Sequence, residues 1–504
     1  MSGLAPQGVN FAAFSPVSII TAGIILTLLL QFAVKGRARI VLPLATLAVL
    51  AAAFVANSLI WNRGLSSFDG SYSADNFTLA ATGIFLVATI LTVLAIAARY
   101  CPFSKSPGSE GLFGSSEVFP LILSALAGAI VMAASRNLIL TFLALETLSI
   151  PLYVLAGINL DSAHSKEAGL KYFLTGAFAS GFFAYGISLF YGAIGALDYS
   201  SISENSAALS NDYTLFAGLA LVAVGFGFKV ALVPFHAWMP DVYQGSPTLV
   251  TGFMAGLVKA AGFAAAIRFF AEPAIGLFEI WGIALMVLAV ATMTAGNLFA
   301  LNQSSLKRLL AYSSVAHAGY LLVAVIALGS EWTGAAPLGG VSGGEVAALF
   351  YLAGYAASVI GAFTTIWWLT PRESEGALLE IEHVRGLARR HPMSAWMLAF
   401  FLLSLAGFPL TAGFLGKFYV FASALHEGLV WLVVVGLLNA VVSAYYYLKV
   451  IVAMFMQDAQ GDESGFVPIP NGWIYAAVCI AAILVLWLGV VPQKALELLA
   501  NAGI

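Results

Sequence analysis

The chain has 504 residues, of which 61% are hydrophobic and 9% are charged, with a formal net charge of -3 and a mean hydropathy of +0.96. Soluble domains carry about 25% charged residues, so this composition excludes a soluble globular protein. Continuous apolar stretches of roughly twenty residues recur, which indicates membrane helices rather than the short alternating strands of a β-barrel. The chain is predicted to be an all-α polytopic membrane protein.

About fourteen stretches are long and apolar enough to cross a bilayer as helices. The first is expected to be retained, because the residues before it lack the basic segment of a cleaved signal peptide. The predicted spans are 15–34, 40–60, 76–98, 118–135, 137–157, 167–194, 213–237, 246–270, 275–299, 304–329, 344–370, 393–424, 428–456 and 470–491.

The loops between these spans alternate sides, and their basic residues divide unequally between the two sides. Twelve fall on one side and four on the other, namely Arg63, Arg136, Arg268 and Lys494. Cytoplasmic loops carry an excess of Lys and Arg, so the first side is predicted to be cytoplasmic. Both termini are then expected on the outer side of the membrane.

Spans four to eight and nine to thirteen form two sets of five helices with opposite topology. The fourth member of each set combines a proline with a lysine: Lys229 precedes Pro234 by five residues, and Lys417 follows Pro409 by eight. Proline interrupts a helix and frees backbone carbonyls, and inverted repeats with broken helices are typical of transporters. We therefore predict two inverted five-helix repeats with broken seventh and twelfth helices. The predicted division is 1–117 for three N-terminal helices, 118–270 and 271–456 for the repeats, and 457–504 for the C-terminal helix.

The polar segment 371–392 places Leu378, Leu379, Ile381, Val384 and Leu387 at a helical spacing. This spacing predicts an amphipathic cytoplasmic helix that lies on the membrane or on a partner. The alternative is a solvated connector between two spans.

Few ionisable residues fall near the middle of the predicted spans. They are Glu146, Lys229, Lys259, His317 and Lys417, and Lys171 lies about one turn into its span. A lysine at the centre of a membrane helix costs roughly 2.5–3.5 kcal/mol on insertion scales, so these charges need partners. By span order, Glu146 is nearest to Lys171 and Lys229. Burial disfavours the charged form of a side chain and pairing favours it, so a lysine whose partner moves can load and release a proton.

Each of these side chains also has a structural explanation. A lysine near a span end can extend its charged group to the membrane surface, which suits Lys229 better than the midspan Lys259. Glu146 can form a fixed ion pair that serves specificity without transport. These alternatives stay open at the level of the sequence.

Two histidines lie in or beside the predicted spans. Ser313, His317 and Tyr320 fall on one face of the tenth span, which is compatible with a connecting role for His317 and equally with that of a hydrogen-bonded packing residue. His236 follows Pro234 at the expected break. It marks either the mouth of a path or an interfacial position beside a tryptophan.

Motifs for cofactor chemistry are missing from the sequence. It contains no Walker A motif, no GxGxxG after a strand and no CxxC pair, and its cysteines, Cys101 and Cys479, lie far apart. We expect no cofactor or metal in this chain and no nucleic-acid partner. Energy for transport is expected from an ion gradient or from partner subunits.

Several long motifs carry a family resemblance across roughly 118–456. LETLSIPLYVLAG, FKVALVPFHAWMPDVYQGSPT, GLVKAAGF and SSLKRLLAYSSVAHAGYLL resemble the antiporter-like subunits of respiratory complex I. These subunits are similar to those of multi-subunit sodium/proton antiporters and membrane-bound hydrogenases. The segment GFPLTAGFLGKFYVF, with a lysine in the broken twelfth span, most resembles the N-type subunit of NADH-quinone oxidoreductase.

The resemblance implies roles for the matching residues. Glu146 is the glutamate that pairs with a lysine, Lys229 faces one half-channel, Lys259 and His317 connect the halves, Lys417 faces the second half-channel, and Lys171 matches a sixth-span lysine.

The resemblance also implies a function and partners. The chain is expected to translocate protons as a membrane subunit of a bacterial NADH-quinone oxidoreductase, in the cell inner membrane and without a redox site of its own. NADH, FMN, iron–sulfur clusters and quinone are implied in the partner subunits of the membrane and peripheral arms. The alternatives are a subunit of a sodium/proton antiporter without redox coupling, and a scaffold that transports nothing.

Overall fold

The computed structural model describes residues 9–34, 38–100, 116–206, 212–329, 343–370, 380–458 and 471–502. Helices dominate these residues, and an antiparallel hairpin of β1 (Leu65–Ser67) and β2 (Tyr72–Ala74) joins the second helix to the third. The helices are α1 (Ser15–Ala33), α2 (Ala38–Leu59), α3 (Asn76–Tyr100), α4 (Val118–Ala134), α5 (Leu138–Ala156), α6 (Ala163–Ile194), α7 (Tyr199–Ser206), α8 (Tyr213–Val230), α9 (Trp238–Gly245), α10 (Thr248–Phe253), α11 (Lys259–Ala271), α12 (Phe278–Leu301), α13 (Leu306–Ile326), α14 (Gly344–Leu369), α15 (Leu387–Arg390), α16 (Pro392–Ala406), α17 (Ala412–His426), α18 (Val430–Met456), α19 (Gly472–Val490) and α20 (Gln493–Ala500).

The predicted all-α polytopic class is confirmed. Within the described residues, twelve helical segments are long and apolar enough to cross a membrane. Two more predicted spans are built of shorter apolar helices, α4 and the pair α16 and α17. Every predicted span therefore contains an apolar helix, whereas the two inverted repeats and the division into four parts stay predictions.

The seventh and twelfth spans are both interrupted, as their prolines predict. Helix α8 ends at Val230, seven residues before the predicted end, and residues 231–237 with Pro234 separate it from α9. Helix α16 ends at Ala406, and Pro409 lies in the gap before α17. Gly407 takes a left-handed conformation with φ 89°, which only glycine adopts without strain and which ends many helices.

The eighth span contains a feature that the sequence does not predict. A π-helical turn, Met254–Val258, joins α10 to α11. A π turn contains one residue more than an α turn, so the side chains after it are rotated by about 100° around the helix axis. Lys259 is the first residue after this turn. The hydrophobic periodicity of a fully buried helix is weak and gives no signal of such a shift.

The centre of the bundle consists of the eighth, tenth and eleventh spans, which are almost wholly buried. Helices α12 and α13 pack closely because glycines meet the facing backbone. A Cβ on Gly296 would lie 2.6 Å from the Ala316 nitrogen, and a Cβ on Gly319 would lie 2.7 Å from the Met293 nitrogen. Small residues at membrane helix contacts allow this approach. The titratable residues of the eighth and tenth spans are thereby enclosed by protein.

The amphipathic helix predicted for 371–392 is wrong for the part of it that the structure describes. A 3₁₀ turn, Ile381–Val384, and the short helix α15 are separated by Gly386, whose φ is 67°. The inward residues of both pieces are buried against α18 rather than presented to a membrane surface. Leu378 and Leu379 lie outside the described residues.

The prediction that Arg268 is a loop residue is wrong, because Arg268 lies inside α11 and its side chain is 1% exposed. Its guanidinium donates hydrogen bonds to Asp75 at 2.7 Å, to Glu272 at 2.9 Å and, through Nε, to the Ala133 carbonyl at 2.9 Å. Arg136 adds an ion pair to the same glutamate at 2.7 Å. Arg268 therefore ties the ends of three membrane helices together and is not a topology signal.

Replacing Arg268 with Met is expected to destabilise the subunit, because it leaves the Asp75 carboxylate partly buried without its cation. Breaking a buried ion pair from one side costs about 3–5 kcal/mol. The apparent melting temperature of the assembled complex should fall by several degrees. The control is Arg136→Met, whose side chain is 46% exposed and which should change stability much less. Equal melting temperatures for both variants would contradict this role.

Candidate functional site

Lys229 occupies the last turn of α8, directly before the break, and is 3% exposed. Its ammonium donates a hydrogen bond to the Ser149 hydroxyl of α5 at 2.7 Å, and that hydroxyl donates to the Leu145 carbonyl at 2.5 Å. Across the break, the Trp238 indole donates to the Phe228 carbonyl at 3.2 Å, so one freed carbonyl of α8 is satisfied. The lysine is therefore buried at an interrupted helix and is held by a neutral oxygen.

Glu146 lies one turn before Ser149 on α5 and is half-buried at the edge of the bundle. It accepts a hydrogen bond from the Ser180 hydroxyl of α6. Within the part of the chain that the structure describes, no ion pair joins Glu146 to Lys229. A cavity of about 10 Å³ lies between Ser149, Ser180 and Lys229, close to the smallest space that holds one water molecule. The span order predicts that Glu146 lies near Lys229, but in this structure the two side chains are held by separate serines with the small cavity between them.

Lys259 begins α11 directly after the π turn and is 2% exposed. Its ammonium donates to the Ser314 backbone carbonyl of α13 and lies 5.5 Å from the centre of the Tyr355 ring. The Tyr355 hydroxyl donates to the Ser314 hydroxyl at 2.8 Å. Lys229 and Lys259 also line one narrow gap that has no room for a water molecule, with Trp238 of α9 in its wall.

His317 lies near the middle of α13 and is 3% exposed. Its Nδ1 is hydrogen-bonded to the Tyr351 hydroxyl at 2.5 Å and its Nε2 to the Tyr447 hydroxyl at 3.1 Å. Tyr447 is also hydrogen-bonded to Ser313. The ring of Tyr355 lies 4.9 Å from the imidazole, which brings the surroundings of Lys259 into contact with the histidine.

Lys417 lies in the second turn of α17 and is 6% exposed. Its ammonium donates to the Leu405 and Ala406 carbonyls at 3.2 and 2.9 Å, which are the free carbonyls at the end of α16. The negative end of a helix dipole favours a cation at this position. The ammonium also lies 5.1 Å from the centre of the Tyr320 ring. The centres of the Tyr320 and His317 rings are 5.9 Å apart.

The structure thus brings four predicted residues together in one buried row, in the order Lys229, Lys259, His317 and Lys417. Three tyrosines that the sequence reasoning missed connect the row. Tyr351 and Tyr355 are spaced by one turn on α14, and Tyr447 ends a run of three tyrosines. The spacing on α14 is a signal, although aromatic pairs are also common in apolar packing. The row is defined here as these four titratable residues.

Lys171 does not join the row. Its side chain is 42% exposed and pairs with Glu167 at 2.7 Å and with Asp241 of α9 at 2.8 Å. The other carboxylate oxygen of Asp241 accepts from Arg308 at 2.7 Å. Desolvation alone would raise the pKa of Asp241, but the hydrogen bonds from Lys171 and Arg308 outweigh it and lower the pKa. These ion pairs are complete at neutral pH and are lost only as the pH falls below about 3.9.

Two further residues differ from their predicted surroundings. Lys307, sorted as a loop charge, is buried and donates to the Ser246 carbonyl at the end of α9 at 2.6 Å. Leaving Lys307 and Arg268 out removes one basic residue from the loop count on each side of the membrane. One side therefore still carries many more basic loop residues than the other. His236 stacks on Phe299 with ring centres 6.3 Å apart and does not contact the row.

A bundle of membrane helices that encloses a row of titratable side chains defines a protein of the ion-translocating class. The sequence model of the transmembrane region of NADH:quinone oxidoreductase and Mrp antiporter subunits matches residues 135–443. The chain belongs to this family.

Individual relatives agree with this assignment. NADH-quinone oxidoreductase subunit N 2 of Roseiflexus castenholzii is 41% identical over 481 residues, which cover 94% of this chain and 92% of the relative. A chain of respiratory complex I from Thermus thermophilus with bound aureothin is 37% identical, with a TM-score of 0.79, and the alignment covers 97% of this chain and 100% of that one. A chain of the Mrp complex from Dietzia sp. DQ12-45-1b is 21% identical, with a TM-score of 0.79 over 98% of this chain and 97% of that one, and shows a shared fold alone.

Replacing Asp241 with Asn is expected to loosen α9, because it removes the shared anion that ties this half-helix to α6 and α13. Backbone amide hydrogen exchange of α9 in the assembled complex should become faster. Asp198→Asn is the control, since Asp198 accepts only local hydrogen bonds from serines. Unchanged exchange in α9 would show that apolar packing alone holds the half-helix.

Proposed function

We propose that the chain translocates protons as the N-type membrane subunit of a bacterial NADH-quinone oxidoreductase. The observation that carries this proposal is the buried row, whose members are each held by neutral oxygen or aromatic groups. An ammonium and a neutral amine both donate hydrogen bonds to a hydroxyl or carbonyl oxygen. Such partners tolerate either protonation state, unlike a carboxylate, which favours only the cation. The row is therefore suited to gaining and losing protons.

Proton loading is proposed to begin at Glu146 and Lys229. Ser180 holds Glu146, Ser149 holds Lys229, and the small cavity between these groups has space for about one water molecule. A shift of Glu146 toward Lys229 would favour the ammonium, and its withdrawal would favour the neutral amine. Because Glu146 lies at the edge of the bundle, a neighbouring subunit is in a position to drive that shift.

Transfer from Lys229 to Lys259 is proposed to require a movement. The gap that both lysines line is too narrow for water in this structure, and Trp238 and Tyr243 of α9 form part of its wall. Helix α9 is only eight residues long and is anchored at Asp241 by two ion pairs. A small displacement of this half-helix would open the gap, so α9 is proposed as the gate between the two lysines.

The second half of the path is proposed to run through hydroxyl groups. A tyrosine hydroxyl both donates and accepts, so it can pass a proton between a lysine and a histidine. The ring of Tyr355 lies beside Lys259 and His317, and its hydroxyl donates to the Ser314 hydroxyl. Tyr351 and Tyr447 are hydrogen-bonded to the two imidazole nitrogens. Lys417 is then the last member of the row before the outer side.

A redox-linked role is favoured over an independent antiporter. The relatives that support it are 37–41% identical over nearly the whole chain and are named as NADH-quinone oxidoreductase subunits. The Mrp likeness is a likeness of fold. We propose that NADH, FMN, iron–sulfur clusters and quinone are bound by partner subunits, and that both termini face the outer side of the bacterial inner membrane.

Lys229→Ala and Lys417→Ala are expected to abolish or strongly reduce proton pumping, because each removes a carrier from the row. The measurement is the proton-to-electron ratio of the complex in proteoliposomes driven by NADH and quinone. Lys166→Ala is the control, since Lys166 is exposed at the start of α6. A wild-type ratio in both variants would refute these roles, and pumping without electron transfer would instead support an antiporter.

Tyr447→Phe is expected to lower the rate of pumping by at least about twofold, because it removes hydrogen bonds to both His317 and Ser313, each of about 0.5–1.5 kcal/mol. It removes the hydroxyl on His317 Nε2 while it keeps the ring and its packing. The control is the neighbouring Tyr445→Phe, whose side chain is 64% exposed. Identical pumping rates in the two variants, with equal amounts of assembled complex, would exclude Tyr447 from the path.

A further inference from the structure

Tyr172 is a buried tyrosine of α6 to which the proposed path assigns no role. It follows the exposed Lys171 directly in the chain, yet its own side chain is only 1% exposed. Its ring stacks on the Trp238 indole of α9, with ring centres 4.6 Å apart and planes within 9° of parallel. The Tyr153 ring of α5 packs edge-on against it, with ring centres 4.8 Å apart. Tyr172 thus lies where α5, α6 and the half-helix α9 meet.

The hydroxyl of Tyr172 is buried and has no hydrogen-bond partner among the described residues. Most buried polar groups in proteins are paired, so an unpaired one calls for an explanation. The tyrosines in the second half of the path all have hydrogen-bonded hydroxyls, namely Tyr351, Tyr355 and Tyr447. A phenylalanine would give Tyr172 the same ring packing without an unsatisfied oxygen. Packing of the interior therefore does not explain the hydroxyl.

Tyr172 forms part of the wall of the narrow gap that Lys229 and Lys259 line. Transfer of a proton across this gap needs a group that both accepts and donates a hydrogen bond. The Trp238 indole in the wall only donates, and it is already bonded to the Phe228 carbonyl. Other members of the wall are apolar, namely Met239, Met254 and Val258. A tyrosine hydroxyl meets the requirement, and that of Tyr172 is not committed to another partner.

Two further tyrosines lie on either side of Tyr172, and electrostatic interactions connect its hydroxyl with those of Tyr153 and Tyr243. The Tyr153 hydroxyl interacts with Ser149, the partner of the first lysine. The Tyr243 hydroxyl interacts with Ser314, the residue whose backbone carbonyl holds the second lysine. The unpaired hydroxyl therefore lies between the surroundings of the two lysines.

We propose that the Tyr172 hydroxyl passes protons from Lys229 to Lys259 when the gap opens, an inference that rests on the proposed function. An N–H bond of the Lys229 ammonium breaks, and its proton bonds to the Tyr172 oxygen, directly or through one water molecule. The original O–H proton of Tyr172 is released at the same time and bonds to the Lys259 amine. Lys229 is left as a neutral amine, Lys259 as an ammonium, and Tyr172 is again a neutral phenol.

The position of Tyr172 also couples this step to the proposed gate. Lys171 and Tyr172 are adjacent in α6, and both contact α9: Lys171 through the ion pair with Asp241, and Tyr172 through its stack on Trp238. A displacement of α9 therefore changes the surroundings of the Tyr172 ring. In this structure no hydrogen bond joins the hydroxyl to either lysine, so the path is interrupted while the gap is closed.

Tyr172→Phe tests the relay in the assembled complex, reconstituted into proteoliposomes and driven by NADH and quinone. The pumping rate per assembled complex is expected to fall by about tenfold, because a positioned proton-transfer group contributes roughly 10²-fold or more and water can replace part of its action. The melting temperature should not fall, since the variant removes an unsatisfied oxygen and breaks no hydrogen bond. Tyr185→Phe is the matched control, because Tyr185 lies on the same helix and is 61% exposed. Its pumping rate and melting temperature should equal those of the wild type.

A pumping rate in Tyr172→Phe equal to that of Tyr185→Phe would overturn the relay. So would a loss of pumping together with a lower melting temperature, which would show that the hydroxyl serves the packing of the helices. The lysine variants separate this inference from the proposed function. If Lys229→Ala and Lys417→Ala stop pumping while Tyr172→Phe pumps as the wild type does, the relay alone is refuted. Wild-type pumping in both lysine variants would refute the proposed function and the relay together.

Discussion

The burial of the row's three lysine amines, with no carboxylate at hydrogen-bond distance, is the constraint on which the rest of the interior depends. Lys229 is held by a serine hydroxyl, Lys259 by a backbone carbonyl and Lys417 by two helix-terminal carbonyls. A charge in an apolar interior is costly, and a neutral acceptor offsets only part of that cost. The two protonation states of each amine are therefore closer in free energy than they would be in a fixed ion pair. This property requires surroundings that are dry, packed and supplied with oxygens.

Each lysine of the row lies beside an interruption of a helix. Lys229 ends α8 before a break, Lys259 follows a π turn, and Lys417 reaches across a break to the end of α16. A regular helix satisfies its own carbonyls, whereas an interrupted one leaves carbonyls that need donors inside the membrane. At Lys417, which donates to two such carbonyls, the lysine and the break therefore stabilise each other. Each interruption also creates a short element, such as the eight-residue α9, which ion pairs at Asp241 tie to α6 and α13.

Fixed ion pairs have a different role and position. Arg268 with Asp75 and Glu272 connects the ends of α3, α4 and α11 on one side of the membrane, and Asp241 with Lys171 and Arg308 connects α6, α9 and α13 on the other. In these clusters a carboxylate neutralises a cation directly, which favours one protonation state. They hold the frame, while the row between them keeps its neutral partners. Carboxylate partners therefore favour one protonation state at both ends of the helices, whereas the residues of the row between them have neutral partners.

The sequence by itself determined the spans, the two proline breaks and the identity of the buried titratable residues, because the cost of insertion depends on local composition and proline acts on its own helix. Tertiary structure alone decided which of these residues meet. It placed Lys171 on the surface with Asp241, buried Lys307 and Arg268, and inserted Tyr351, Tyr355 and Tyr447 between the lysines. The reason is that every face of a membrane helix is apolar, so hydropathy cannot tell which face packs inward. Only the contacts between helices make that choice.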